Sequence, residues 1–241
     1  MNRDDRKLNI AQEELSEQDK KPQSFQIVEA YKALRTNLLF ALAATEKKTA
    51  VISSPEPGVG KSTTAANLSI VMAQTNFKVL LIDADMRKPS LDRIFAVGRN
   101  EGLSTVLSGM TSFERAMIPS VAPNLDLLTA GPIPPNPQEL LASSAMTKLL
   151  DGLQKRYDYI LIDTPPVNVV ADALMLTNST AGIMLVARER KTHVEDLKKA
   201  EDAVNQVGGN LLGMTLTDVQ EQRGGTRSRY YKKYQYVYGE K

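Results

Sequence analysis

A glycine-rich segment with one lysine and several hydroxyl residues carries the strongest chemical signal in the sequence. The segment SSPEPGVGKST (53–63) follows a short apolar run and precedes a helical pattern. Gly58 and Gly60 let backbone N–H groups turn toward phosphate oxygens without an obstructing Cβ. Lys61 can reach the outer phosphates of a nucleotide, and the Ser62 hydroxyl can ligate Mg²⁺. The predicted phosphate contacts are Pro57, Gly58, Val59, Gly60, Lys61, Ser62 and Thr63.

This segment departs from the G-x-x-x-x-G-K-[ST] pattern at one position. Pro55 stands where the pattern has its first glycine. A GKST string alone also occurs by chance or in a decayed site, so the interpretation depends on the flanking strand and helix and on the segments that follow.

Two further segments place carboxylates at the ends of apolar runs. They are LLIDADMRK (80–88) and ILIDTPP (160–166). Ligands of open α/β sheets bind at the carboxyl ends of the strands. Clustered carboxylates repel one another unless a cation lies among them, and Mg²⁺ bound to a triphosphate supplies one. We expect one crevice to collect Asp83, Asp85, Asp163, Lys61 and Ser62.

The pattern of apolar runs predicts a doubly wound α/β fold with a mostly parallel sheet flanked by helices. Runs without polar interruption, separated by helix-length segments, are typical of parallel strands buried on both faces. Helices are predicted from periodicity and end signals at about 26–43, Lys61–Gln74, Pro137–Lys155, about 171–178 and Val194–Val207. Strands are predicted at Thr49–Ser53, Val79–Asp83, Leu125–Leu128, Tyr159–Asp163, Gly182–Ala187 and Leu211–Thr215.

The length of 241 residues suits one α/β domain. We expect residues 1–24 to form a flexible leader, 25–220 the folded domain, and 221–241 a flexible tail. The absence of cysteine excludes disulfides and thiolate metal sites. No run approaches the roughly 18 apolar residues that a membrane span needs, so a cytoplasmic protein is expected.

The tail combines tyrosines with basic residues. From 223 to 241 it contains six basic residues and one acidic residue, a net charge of +5 in a chain of net charge +2. Accessible hydroxyls on a flexible segment suit phosphorylation, and each phosphate adds about −1.5 to −2. Binding of nucleic acid or anionic lipid by this basic tail is the alternative interpretation. The candidate phosphoacceptors are Tyr230, Tyr231, Tyr234, Tyr236 and Tyr238.

Together the three motifs resemble the Walker A, Walker A′ and Walker B motifs of the bacterial tyrosine kinases that regulate capsule and exopolysaccharide synthesis. The loop GPIPPNP (131–137) and the tyrosine-rich end strengthen a resemblance that covers roughly residues 26–241. It implies a P-loop NTPase-type fold. It also implies an ATP- and Mg²⁺-dependent protein-tyrosine kinase that autophosphorylates its tyrosine cluster in trans.

The resemblance further implies roles for single residues. Lys61 would hold the phosphates, Ser62 would bind Mg²⁺, and Asp163 would organise the metal through its water shell. Asp83 would accept the tyrosine proton or orient the metal, with Asp85 supporting the same site. Arg87 would contact phosphate or a neighbouring subunit. The implied catalytic set is Lys61, Asp83, Asp85 and Asp163, and the implied metal set is Ser62, Asp83 and Asp163.

Partners are implied by the resemblance as well. An E-x-x-R-x-x-R pattern mediates ring-like self-association in this family, and here Glu29, Lys32 and Arg35 occupy its positions. Lys32 replaces the first arginine and cannot form a planar bidentate pair. We also expect a separate transmembrane activator that brings the chain to the inner membrane face, and other tyrosine-containing protein substrates. No nucleic-acid partner is expected.

Two other functions fit parts of the sequence. A nucleotide-switched positioning ATPase of the ParA or MinD type shares the loop and the strand-end aspartates. Such proteins usually carry a second lysine early in the loop, where this chain has Glu56. A regulatory nucleotide-binding adaptor is the third possibility, which Lys61, Ser62 and Asp163 make less favourable.

Overall fold

The computed structural model describes residues 22–219, and in this part of the chain a seven-stranded sheet forms the centre of the fold. The strand order is β3-β4-β2-β5-β1-β6-β7. All neighbours are parallel except β3 and β4. The predicted mostly parallel, doubly wound α/β sheet is confirmed. The strands are β1 Thr49–Ser53, β2 Val79–Asp83, β3 Ile118–Ala122, β4 Leu125–Leu128, β5 Tyr159–Asp163, β6 Gly182–Arg188 and β7 Leu211–Thr217.

Helices flank the sheet on both faces. Within residues 22–219 no helix is both long enough and apolar enough to cross a bilayer. The helices are α1 Pro22–Ala43, α2 Lys61–Ala73, α3 Leu91–Ile94, α4 Leu103–Leu107, α5 Phe113–Ala116, α6 Pro137–Leu141, α7 Ser144–Leu153, a 3₁₀-helix at Ala171–Ser179, and α8 Val194–Gln206.

Several predicted boundaries need correction. Helix α1 begins at Pro22, so residues 22–24 of the predicted leader are helical, and the rest of that leader lies outside the described residues. The helix predicted at Pro137–Lys155 is two helices, because the Ser143 side chain accepts a hydrogen bond from the amide of Met146 and starts a new helix. Ala171–Ser179 is a 3₁₀-helix. Strand β3 and helices α3, α4 and α5 were not predicted from the sequence.

Alternate residues of the central strands supply the two halves of the core. In β1, Val51 packs on one face of the sheet while Ala50 and Ile52 pack on the other. The same alternation runs through β2 and β5, and all of these strands' apolar side chains are buried except the partly exposed Tyr159. This two-sided burial explains why their sequences are continuous apolar runs.

The order of the strands brings the chemically active segments together. Strand β5 lies between β1 and β2, with Asp163 beside Ile52 in one direction and beside Asp83 in the other. Carboxyl ends of parallel strands lie at the same edge of a sheet. The loop after β1 and the aspartates that end β2 and β5 therefore meet.

The opposite edge of the sheet contains a polar contact that we expect to stabilise the fold. The Tyr157 hydroxyl donates to Asp126 Oδ2 at 2.7 Å, and Tyr157 is 3% exposed. A Tyr157→Phe substitution removes a hydrogen bond to a charged acceptor and should lower the free energy of unfolding by about 1.5 kcal/mol. Urea denaturation measures this loss.

Tyr159→Phe is the matched control for this prediction. Among the described residues the Tyr159 hydroxyl has no hydrogen-bond partner, and its ring packs edge-on against Phe77. Its substitution should change the free energy of unfolding by less than about 0.5 kcal/mol. Equal losses for the two variants would contradict the assigned role of the Tyr157 contact.

Candidate active site at the carboxyl edge of the sheet

The loop between β1 and α2 has the backbone shape of an anion site. Gly58 and Gly60 both lie in the left-handed region, at φ of +73° and +92°, which favours glycine. In the described structure the amides of Gly58, Val59 and Gly60 have no hydrogen-bond acceptor. Amide groups left free in a turn that opens a helix are a site for phosphate oxygens.

Helix α2 continues this site into the core. It begins at Lys61, directly after its N-cap residue Gly60, and its side chains are buried from Thr64 to Ala73. Lys61 is its one charged residue. The partial positive charge of the helix N-terminus adds to that of the lysine. Ser62 and Thr63 are half-buried on the first turn, beside the free amides.

Lys61 joins the loop to the carboxylates of two other strands. Its Nζ lies 2.6 Å from Asp163 Oδ1 and 3.8 Å from Asp85 Oδ2, and it also donates to the Ser62 hydroxyl at 3.2 Å. Lys61 and Asp163 are buried. The predicted convergence of Asp83, Asp85, Asp163, Lys61 and Ser62 is what the described structure contains.

One lysine does not balance three carboxylates, and the pKa values of Asp83 and Asp85 are raised. Burial, and after it the charge of Asp163, raise the pKa of Asp83 from 3.8 to about 7. Burial also raises the pKa of Asp85, against the opposing effect of Lys61. Because the folded pKa of Asp83 lies above its unfolded value, its ionisation reduces stability as the pH rises from about 4 to about 7. The site favours an added cation.

Asp163 supplies a direct indication of where a cation would act. Its Oδ2 atom is buried and has no hydrogen-bond partner. Among residues 22–219 no group of three or more histidine, cysteine, aspartate or glutamate side chains could hold a metal by itself. The donors therefore fit Mg²⁺ that arrives with a nucleotide, held largely by phosphate oxygens and water and by few side chains.

Asp83 also organises the loop after β2. Its Oδ1 accepts from the amide of Asp85, and its Oδ2 accepts from the amides of Ser90 and Leu91, all at 3.1 Å. Asp85 Oδ1 in turn accepts from the amide of Lys88 at 2.9 Å. The two aspartates of the D-x-D pattern thus contribute charge to the site and also accept the hydrogen bonds that shape the local turn. The sequence predicted only their contribution to the charge.

Arg87 is held by a residue that the sequence analysis missed. Its Nε and Nη2 donate to the two carboxylate oxygens of Asp172 at 2.9 and 3.1 Å. Asp172 is fully buried in the 3₁₀-helix, while the Arg87 side chain is 41% exposed. This bidentate pair fixes the arginine beside the carboxylate cluster. An aspartate within ADALM has no spacing signal that would reveal such a partner.

The residues predicted for self-association lie away from the carboxylate cluster, on α1. Lys32 pairs with Glu29 at 3.0 Å on the same helix, and Arg35 donates to the carbonyl of Val71 in α2 at 2.7 Å. These contacts are within the chain. The five tail tyrosines lie outside the described residues.

The fold and this arrangement of loop, lysine and aspartates define a P-loop NTPase. A family model for an AAA domain matches residues 47–207, and the chain belongs to that family. A plasmid partition protein from Borrelia burgdorferi has a similar structure, with a TM-score of 0.59 and 23% identity. The match covers 78% of this chain and 87% of that protein. That likeness shows the fold alone.

Relatives of higher sequence identity show which family of P-loop NTPases this chain belongs to. The chain is 38% identical over 220 residues to the putative tyrosine-protein kinase CapB of Staphylococcus aureus, covering 91% of this chain and 93% of that protein. It is 45% identical over 188 residues to the tyrosine-protein kinase YwqD of Bacillus subtilis (strain 168), covering 78% and 79%. The kinase domain of the Escherichia coli tyrosine kinase ETK matches with a TM-score of 0.79 and 34% identity, covering 83% and 78%. The chain belongs to the bacterial tyrosine-protein kinase family.

The buried Lys61 contact leads to a prediction for the nucleotide-free protein. Lys61→Met leaves the Asp163 carboxylate buried without its cation, which should lower the free energy of unfolding by about 3 kcal/mol. Urea denaturation without nucleotide and Mg²⁺ measures this loss. Adding Asp163→Asn to the same variant should recover part of it, because the uncompensated charge is then removed.

Lys199→Met is the control for the loss of a lysine charge. Lys199 is 72% exposed and lies 3.8 Å from Asp196 on α8, so its loss should change stability by less than about 0.5 kcal/mol. If Lys61→Met were as stable as Lys199→Met, the Lys61–Asp163 contact would not contribute as described.

Proposed function

We propose that this chain binds Mg-ATP at the carboxyl edge of the sheet and transfers the γ-phosphoryl group to tyrosine hydroxyls. The observation that carries the proposal is the set of free amides at Gly58, Val59 and Gly60 beside Lys61 and the buried carboxylates. Lys61, Ser62 and Thr63 would bind phosphate and metal together with the loop. Bound Mg²⁺ supplies charge neutralisation for the transferring phosphoryl group.

Asp83 is the proposed acceptor of the tyrosine proton. A tyrosine hydroxyl has a pKa near 10, and a base works best when its own pKa lies near the working pH. Burial, and after it the charge of Asp163, raise the pKa of Asp83 toward that range. Asp85 and Asp163 would assist through the metal and its water. Arg87, fixed by Asp172, is proposed to contact phosphate.

The tail is the proposed first substrate, modified in trans at Tyr230, Tyr231, Tyr234, Tyr236 and Tyr238. Strand β7 ends at Thr217, whose hydroxyl touches the carbonyl of Val59 in the phosphate loop. The tail follows within a few residues. Phosphorylation of all five tyrosines would change its charge from +5 to roughly −3 to −5.

Self-association and membrane attachment belong to the same proposal. The α1 surface that carries Glu29, Lys32 and Arg35 would contact a second copy in a ring-like oligomer. A separate transmembrane activator would hold the chain at the inner membrane face. In keeping with the family resemblance, the phosphorylation state would regulate synthesis of capsular or other extracellular polysaccharide, and other proteins would also be substrates.

Mapping of phosphotyrosine tests the enzymatic proposal. Purified full-length chain incubated with Mg-ATP should gain phosphate on tail tyrosines, as measured by mass spectrometry. Lys61→Met and a chain ending at Gln222 should gain none there. The buried Tyr157 serves as an internal control and should stay unmodified.

The same incubation, with ATP binding and hydrolysis also measured, separates the three candidate functions. ATP hydrolysis without modification of a tail tyrosine, even with a candidate activator present, would favour the nucleotide-switched ATPase. ATP binding with neither activity would favour the regulatory adaptor. Glu56 in place of the second loop lysine favours the kinase over the switched ATPase.

Phosphorylation should also change the oligomer. If the unmodified tail docks in a neighbouring active site, complete autophosphorylation should release it and lower the mass measured by light scattering. A variant with all five tail tyrosines changed to phenylalanine should keep its mass after the same incubation. An unchanged mass in the fully phosphorylated parent chain would argue against tail docking.

A further inference from the structure

The carbonyl groups of residues 56–60 of the phosphate loop are all engaged, although the amides of Gly58, Val59 and Gly60 are free. The carbonyl of Glu56 accepts from the Ser54 hydroxyl at 2.9 Å, and that of Gly60 accepts from the amide of Thr64 in α2 at 2.8 Å. The three carbonyls between them accept from side chains that lie far away in sequence. These side chains come from the ends of β6 and β7.

Lys191 engages two of the three carbonyls. It lies in the loop after β6, and its Nζ donates to the carbonyl of Pro57 at 2.8 Å and to that of Gly58 at 3.3 Å. Arg188 Nη1 adds a long contact of 3.5 Å to the Gly58 carbonyl. A Cβ on Gly58 would lie 3.1 Å from Lys191 Nζ, so a side chain there would require the lysine amine to shift slightly.

Thr217 engages the third carbonyl. It is the last residue of β7, and its Oγ1 lies 2.6 Å from the carbonyl of Val59 and 3.2 Å from that of Ala187. The hydroxyl has one proton to donate, and the shorter distance favours Val59. The edge strand of the sheet is thus joined directly to the phosphate loop.

We infer that Lys191 and Thr217 are positioning residues that aim the amides of the loop at the nucleotide phosphates. In a planar trans peptide the C=O and N–H groups point in opposite directions. Holding the carbonyls of Pro57, Gly58 and Val59 on the β6 and β7 side turns the next amides, those of Gly58, Val59 and Gly60, away from it. The inference rests on the proposed nucleotide binding and does not depend on tyrosine as the acceptor.

The position of these side chains distinguishes a role in positioning the loop from a contribution to the stability of the whole domain. Lys191 is exposed, and the hydrogen bonds of its amine in the described structure go to the loop. Removing its amine should therefore disturb the loop without opening the core. Amides already turned in one direction need no reordering when phosphate binds, which improves affinity.

Calorimetric titration of the full-length chain with Mg-ADP tests the inference. Lys191→Met and Thr217→Val should each raise the dissociation constant about fivefold, and the double variant about 20-fold, because each loses hydrogen bonds that hold the loop. Lys191→Arg and Thr217→Ser retain a donor and should bind within about twofold of the parent. The melting temperature without ligand should change by less than about 2 °C in the single variants.

Two further variants serve as matched controls. Thr215→Val changes the same strand two residues away, and Lys198→Met removes an exposed lysine from α8. Both should bind Mg-ADP like the parent. The positioning role is overturned if Lys191→Met and Thr217→Val also bind like the parent, or if the controls lose as much affinity. It is also overturned if the ligand-free melting temperature falls in proportion to the affinity.

The titration distinguishes failure of this inference from failure of the proposed function. If the parent chain did not bind Mg-ADP at all, nucleotide binding and the positioning role would both be wrong. If the parent bound and Lys61→Met did not, while the Lys191 and Thr217 variants were unaffected, the positioning role alone would be wrong.

Discussion

The rest of the site depends on the buried contact between Lys61 Nζ and Asp163 Oδ1. Two charges withdrawn from water need each other, because an unpaired charge in the interior is strongly unfavourable. This lysine nevertheless faces three carboxylates, and burial together with the charge of Asp163 raises the pKa of Asp83. A site with more carboxylates than cations is suited to recruit a further cation together with an anionic ligand. The charge imbalance and the proposed affinity for Mg-nucleotide have the same structural origin.

The order of the strands in the sheet brings the lysine and the three carboxylates together. Because β5 lies between β1 and β2, Asp163 has the phosphate loop on one side and Asp83 on the other. Strands β6 and β7 continue the sheet past β1, and their ends supply Arg188, Lys191 and Thr217 to the outer side of the loop. The five adjacent strands β2, β5, β1, β6 and β7 therefore each contribute a charge, the phosphate loop itself or a side chain that holds this loop.

Sequence patterns predicted the strands and site residues that follow from hydrophobic periodicity or from short local motifs. The five-residue runs of β1, β2 and β5 were placed correctly because two-sided burial demands uninterrupted apolar residues. Lys61, Ser62 and the three aspartates were found because their spacing from strand ends is fixed. The antiparallel β3, with its half-exposed IPSVA, and the four- and five-residue helices lack a clear period. Asp172, Lys191 and Thr217 act through contacts across 85 to 158 positions, which no local pattern encodes.

Helix α2 couples ligand binding at the phosphate loop to the stability of the whole domain. All of its residues except Ser62 and Thr63 are buried, and it packs between the sheet and α1. Such a helix cannot be exposed without opening the core, so a ligand at its N-terminus stabilises the entire domain. At a concentration 100 times its dissociation constant a ligand adds about 2.7 kcal/mol to the free energy of unfolding. Inhibitors of the loop could therefore be found by melting temperature alone, before any phosphoacceptor is known.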